Sequence, residues 1–227
     1  AGQWARASGH PDTQVRIHPS AATTERPAES PISAPKGWYD AGDYGKYIVN
    51  AGISTYTLLI ALEHFGSFYE SRTFNLPESN DSVPDLFNEI MWNLEWMAAM
   101  QDLDGGVYHK LTTKNFSGEI MPNEGTAPRY VVQKTTAATL NFAAVMATAS
   151  RIVDAYPNAF PGKASAYRQA AINAWQWAEA NPSITYRQPS DVVTGAYGDR
   201  VLEDEFAWAA AELHILTGES SYLTEFN

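Results

Sequence analysis

The sequence predicts an all-α protein. Three observations carry that reading. Five segments repeat apolar residues every three or four positions, loops rich in Pro, Gly and Asn separate them, and no segment sustains the apolar–polar alternation of a half-buried strand. With 227 residues, 44% apolar and 18% charged, the chain can bury one sizeable core or two small ones. Helix–loop–helix succession without a clear repeat fits a helical bundle or an α/α toroid, and periodicity does not separate the two.

Residues 1–36 hold five of the 13 prolines among Ser, Thr and Glu, and read as an extended surface loop. His10 and His18 stand there without a close third ligand, which favours structural roles over metal binding. The first helix covers about 47–65 and is expected to be largely buried. Ile48, Tyr56, Leu59 and Ile60 recur at helical spacing, and Gly52 marks close packing. Residues 65–80 read as loop.

The second helix opens at Ser82, with Asp85 three positions on as a capping-box analogue and Pro84 in the first turn. Leu86, Ile90, Leu94 and Met97 form its stripe, widened by Phe87, Met91 and Ala98, and it ends near Gln101. Asp102, Leu103, Asp104, Gly105 and Gly106 make a turn that lacks the later oxygen ligands of a calcium loop. Residues 113–130 return to loop, with Arg129 placed to pair with one of its acids.

An Ala-rich helix follows over about 135–155, with Leu140, Ala144, Ala147 and Val153 among its apolar positions. The next helix, 164–180, carries Trp175 and Trp177 on different faces, so at most one is expected to be deeply buried. Residues 182–199 are loop. The last helix, 204–216, turns Phe206, Ala210, Leu213 and Leu216 mostly inward and closes at Gly218, just past its end. SSYLTEF then starts an element the chain does not finish.

A net charge of −11 argues against nucleic acid or an anionic membrane as partner, while a neutral polysaccharide is indifferent to it. There are no cysteines, so neither disulfides nor a thiolate zinc site can form. No apolar run of membrane-spanning length and no signal peptide appears. Seven Trp and 12 Tyr suit core packing, a sugar-binding cleft, or both.

The chemistry concentrates in residues 37–47, GWYDAGDYGKY. Asp40 and Asp43 lie three positions apart, Gly42 between them permits a sharp turn, and Trp38, Tyr39, Tyr44 and Tyr47 offer faces that stack on sugar rings. Paired acids amid aromatics suit general acid–base work on a carbohydrate. The plainer alternative is a polar cap on the following helix. If the turn is helix-like, the two acids are near neighbours, about 5–6 Å apart at Cβ, which suits holding one water rather than flanking a sugar. Their mutual repulsion must be countered, with Lys46 or amides near Gly42 as candidates. His109 could contact a sugar oxygen, although a lone His is more often structural.

WYDAGDYGKY resembles the signature of glycoside hydrolase family 9, the inverting β-1,4-glucanases. Three further blocks are similar to that family in order: MQDLDGGVYHKLT (100–112), RYVVQKTTAATLNFAAVMA (129–147) and GAYGDRVLEDEFAWAAAELHILTGESSYL (195–223). The resemblance implies an (α/α)6 barrel, about half of it present, with the chain a partial catalytic domain cut at both ends and residues 1–36 lining one cleft wall. It implies Asp43 as general base, Asp40 as a second holder of the water, and Trp38, Tyr39, His109 and Tyr197 as substrate contacts. The family's acid is a Glu whose motif none of Glu95, Glu124 or Glu205 matches, so no acid is assigned. Asp204 and Glu205 match a pair that supports calcium in several members, against a charged N-cap as alternative. No cofactor is required. The implied protein is a secreted bacterial monomer acting on β-1,4-glucan. A non-catalytic sugar-binding protein on the same scaffold and a helical interaction scaffold are the competing readings.

Overall fold

The computed structural model describes residues 7–226, so both expected chain ends fall outside the described residues. Five α-helices form its bulk: α1 (Ile48–Glu70), α2 (Asp85–Ala99), α3 (Thr136–Val153), α4 (Lys163–Ala180) and α5 (Glu203–Thr217). The all-α expectation needs correcting. Five short strands, β1 (Val15–Ile17), β2 (Pro31–Ile32), β3 (Lys46–Tyr47), β4 (Lys110–Thr113) and β5 (Arg129–Val131), form one sheet in the order β2-β1-β5-β4-β3. Only the β1–β5 pair is parallel, in the register Arg16 to Tyr130 and Ile17 to Val131. At two to four residues each, these strands are too short for a period-2 pattern to show.

α3 is the central helix. Every residue except Arg151 is buried, and it packs against α1, α4 and α5. Its Ala, Ser and Thr side chains let neighbours approach closely. A Cβ on Gly52 of α1 would stand 2.9 Å from Asn141 Oδ1 and 3.2 Å from its Cβ, so glycine lets α1 and α3 cross closely there. Thr135 caps α3, its hydroxyl accepting from Ala138 N at 3.3 Å.

α1 departs from expectation twice. It continues to Glu70 through a kink at Phe65, and only one stripe (Ile48, Gly52, Thr55, Leu59 and Leu62) is buried. α2 buries the expected stripe, but Ser82 does not cap it. Pro84 occupies the N-cap, and the buried Asp85 carboxylate accepts instead from Phe74 N and Ser79 Oγ at 2.6 Å each, tying down the preceding loop. Trp175 and Trp177 are both buried, which corrects the expectation of at most one. α4 is covered on two sides. Trp175 packs edge-on against Phe206 and Tyr222, while Trp177 lies under Gly106 and donates to Asp104 Oδ2 at 3.1 Å. Residues 102–106 do form a turn, closed by Lys134 on Asp102 (2.6 Å) and Asp104 (2.7 Å), with Arg26 3.1 Å from Asp102.

A buried ion cluster fastens residues 7–36 to the sheet. Asp12 pairs with Lys46 at 2.7 Å and with Arg129 at 2.8 Å, and all three side chains are nearly fully buried. Arg129 thus pairs across the sheet, not within its own loop. Pairing this close offsets the cost of burying these charges.

Candidate active site

Residues 37–47 lead from β2 through β3 into the start of α1 as an irregular turn. Its entry needs glycine. Gly37 has φ +80°, and a Cβ there would stand 2.5 Å from the Trp96 ring. Gly42 is in open space without a positive φ, contrary to the expected role. The left-handed residue is Tyr44, at φ 58°, and a Cβ on Gly45 would meet the Tyr47 hydroxyl at 2.8 Å. Tyr44 N bonds Ala41 O at 3.1 Å and Asp40 N bonds Gly45 O at 2.9 Å, closing the turn around the two acids. The N-cap of α1 is Tyr47, with no side-chain bond, so the Asp pair does not cap that helix.

Each carboxylate is instead held by two donors. Asp40 accepts from Asn50 Nδ2 at 2.7 Å and from Tyr197 Oη at 2.8 Å. Asp43 accepts from Gly45 N at 3.0 Å and from Tyr47 Oη at 2.9 Å. Asp40 remains exposed and Asp43 half-buried. Two carboxyl groups with fixed oxygens in one turn can orient a water and take its proton. Burial, together with Asp43, raises the Tyr47 phenol well above its ordinary range, so it stays a donor. The Tyr197 phenol is raised chiefly by its bond to Asp40.

Lys46 does not serve the pair. It is drawn into the Asp12 cluster and donates to the Lys36 carbonyl. The cation nearest in effect is Lys110 of β4, which feels the charge of Asp43. Lys110, Asn50 and Tyr47 as hydroxyl donor were missed in the sequence, because a Lys in a strand and an Asn in a helix carry no local signature of an acid 10 or 67 positions away.

Trp38 and Tyr39 wall a small cavity of about 150 Å³ with Asp40, Tyr47, Asn50 and Ser54. The Trp38 indole donates to Glu89 at 2.7 Å, and the Tyr39 hydroxyl donates to Gly9 O at 3.1 Å, so both rings are held in place. On the other side of the turn, a cavity of about 530 Å³ is lined by Asp43, Tyr44, Phe116, Ile120 and Met121.

His109 lies beneath the loop over residues 182–202. It is 1% exposed, its ring stacks on Tyr186 at 4.1 Å, and its nitrogens engage Thr135 Oγ1 at 3.0 Å and Ala196 O at 2.8 Å. Burial lowers its pKa to about 4, so the ring is neutral at pH 7. A sugar could reach it only if residues 195–197 moved aside. His18 caps residues 19–21 and lies 3.1 Å from Asp191, while His10 packs against Tyr39 and Tyr44.

Asp204 and Glu205 occupy the first turn of α5, away from the Asp pair. Neither caps the helix, whose N-cap is Leu202. Glu205 Oε2 is buried without a hydrogen-bond partner, and burial with the adjacent Asp204 pushes the Glu205 carboxyl up to about 8. Among the described residues, no three His, Cys, Asp or Glu side chains converge as a metal site.

The family model described as glycosyl hydrolase family 9 matches residues 2–227. A xyloglucan-specific endo-beta-1,4-glucanase of Bacteroides ovatus is 48% identical over 99% of the chain, and endoglucanase D of Acetivibrio thermocellus is 38% identical over 84% of it. A solved structure described as Bacteroides ovatus GH9 superposes with a TM-score of 0.96 at 48% identity, covering 99% of this chain and 43% of that one. The chain spans 40% and 30% of the lengths of the two enzymes.

Proposed function

The chain belongs to glycosyl hydrolase family 9, and from that membership we propose that it carries the water-activating part of an enzyme hydrolysing β-1,4-glucosidic bonds with inversion. The observation that carries the proposal is the Asp40–Asp43 turn, in which each carboxylate is oriented by two donors and neither caps a helix.

Asp43 is the general base. It takes a proton from the water as the water's oxygen bonds to the anomeric carbon, opposite the departing glucan. Asp40 accepts the water's other hydrogen and fixes its approach, and is itself fixed by Asn50 and Tyr197. Trp38, Tyr39 and Tyr197 present ring faces to the sugar, and His109 is the donor or acceptor reached when residues 195–197 shift. An acid must protonate the leaving oxygen from about 6.5–9.5 Å across the bond, and in this proposal none of residues 1–227 holds that role. The five helices belong to an (α/α)6 barrel of which this chain is a part.

The substrate is a β-1,4-glucan, and xyloglucan is the first to try, given the named specificity of the Bacteroides ovatus relative. No cofactor is required. Asp204 and Glu205 fit a hard cation, because an orphaned carboxylate oxygen with a raised pKa lacks a positive partner, and calcium there would supply it. The protein acts as a secreted bacterial monomer.

The test is titration calorimetry of the chain with xyloglucan and cello-oligosaccharides, alongside reducing-sugar release from the same polymers. Binding that survives Asp43→Asn, with no release by the chain but release by the complete enzyme that Asp43→Asn abolishes, supports the proposal, and release by the chain alone rejects the absence of an acid from it. A folded chain with no affinity for any β-1,4-glucan rejects it.

A further inference from the structure

Lys110 is a buried cation that the reaction above leaves unused. Its side chain is fully buried, and among the described residues it pairs with no carboxylate. Its Nζ instead donates to Gly195 O at 2.6 Å, to Thr194 O and Thr194 Oγ1 at 3.2 Å each, and to Gln188 Oε1 at 3.3 Å. It lies 5.6 Å from the Tyr47 ring centre and 5.2 Å from that of Tyr186. An unpaired buried ammonium is among the most unfavourable groups a protein can keep. Burial accordingly lowers its pKa to about 8, and attraction to Asp43 opposes that fall.

If Lys110 only stapled the loop, a neutral donor would do so without the desolvation cost. A neutral donor cannot offset two carboxylates held in one turn. Tyr47 connects the two, with its ring toward Lys110 and its hydroxyl on Asp43 Oδ2. The oxygens that Lys110 binds precede Tyr197 by two to nine residues, and Tyr197 reaches Asp40.

We propose that Lys110 is a positioning residue for hydrolysis, supplying the positive charge that lets Asp40 and Asp43 remain together and seating the 188–195 segment so that Tyr197 meets Asp40. The proposal rests on the reading of Asp43 as general base. The groups facing Lys110 are Asp43, Tyr47, Tyr186 and His109.

Side-chain NMR of the 227-residue chain, following the Lys110 Cε methylene against pH, tests the charge coupling without requiring turnover. In the unmodified chain the midpoint is expected near 8. In Asp43→Asn it is expected about 1 pH unit lower, because the opposing charge is gone. A midpoint that stays in place in a folded Asp43→Asn chain overturns the proposal while leaving the sugar-binding test untouched. A second arm compares pH profiles of β-glucan hydrolysis by the complete enzyme. Lys110→Met moves the acid limb upward and Lys110→Arg restores it. Superimposable profiles for Met and the unmodified residue overturn the proposal even if Asp43→Asn disturbs the turn.

Discussion

Tyr197 donates its hydroxyl to Asp40 at 2.8 Å across 157 residues of sequence, joining the 182–202 loop to the 37–47 turn. Tyr197 sits at φ 44°, a conformation uncommon for a large side chain, so the surrounding structure holds it there. Removing the hydroxyl frees one Asp40 oxygen and unlatches the loop. Tyr197→Phe is expected to lower kcat/KM about tenfold or more, as loss of a hydrogen bond to a charged group (about 1.5–3 kcal/mol) implies, with the fold intact. Steady-state kinetics of the complete enzyme beside circular dichroism checks this.

Asp12 neutralises two buried cations, so Asp12→Ala is expected to be severely destabilising. Lys46 and Arg129, 1% and 6% exposed, would be left without their carboxylate. Breaking one side of such a cluster costs about 3–5 kcal/mol, which urea denaturation would resolve. Asp12→Asn should recover little, since the lost element is charge.

Calcium is expected to raise the melting temperature and a chelator to lower it, with both effects abolished in Glu205→Gln. A cation binding only the folded chain stabilises it by about 2.7 kcal/mol at 100 times its dissociation constant. Scanning calorimetry with and without calcium decides the matter, and identical melts would leave Asp204 and Glu205 as a plain helix terminus.

His109 makes the fold sensitive to mild acid. Its folded pKa, about 4, lies below the unfolded value of 6.5. Above pH 6.5 both states are neutral. Between 6.5 and 4 only the unfolded state takes the proton, so stability falls as pH drops through that window. The full loss is on the order of 3 kcal/mol. Urea midpoints at pH 7 and pH 5 measure the slope, and an imidazole resonance that stays at its neutral position down to pH 5 assigns it to His109.

What the sequence made legible followed from local rules. The α2 stripe, the Ala-rich run of α3 and Gly218 at φ +76° each depend on residues within one or two turns of one another. The Asp40–Asp43 pair was visible for the same reason. The sheet was not, because β3, β4 and β5 bury Lys46, Lys110, Thr112 and Arg129, polar residues whose partners lie elsewhere in the chain. Burial of both Trp175 and Trp177 was not legible, because the cover of Trp177, Gly106, comes from a distant turn. The donors to the Asp pair divide likewise. Gly45 and Tyr47 are neighbours of Asp43, whereas the contacts of Tyr197 and Lys110 exist only after the 182–202 loop has closed.

The β1–β5 pairing and the Asp12–Arg129 ion pair, 117 residues apart, bear on how the chain is made. During synthesis residues 7–36 leave the ribosome well before their partner strand, whose last residue is Val131. Contacts this distant form late. The segment beside the 37–47 turn is therefore secured to the sheet late in a nascent chain. Until then it is the part most open to proteases and chaperones, and translation that pauses before residue 131 prolongs that exposure.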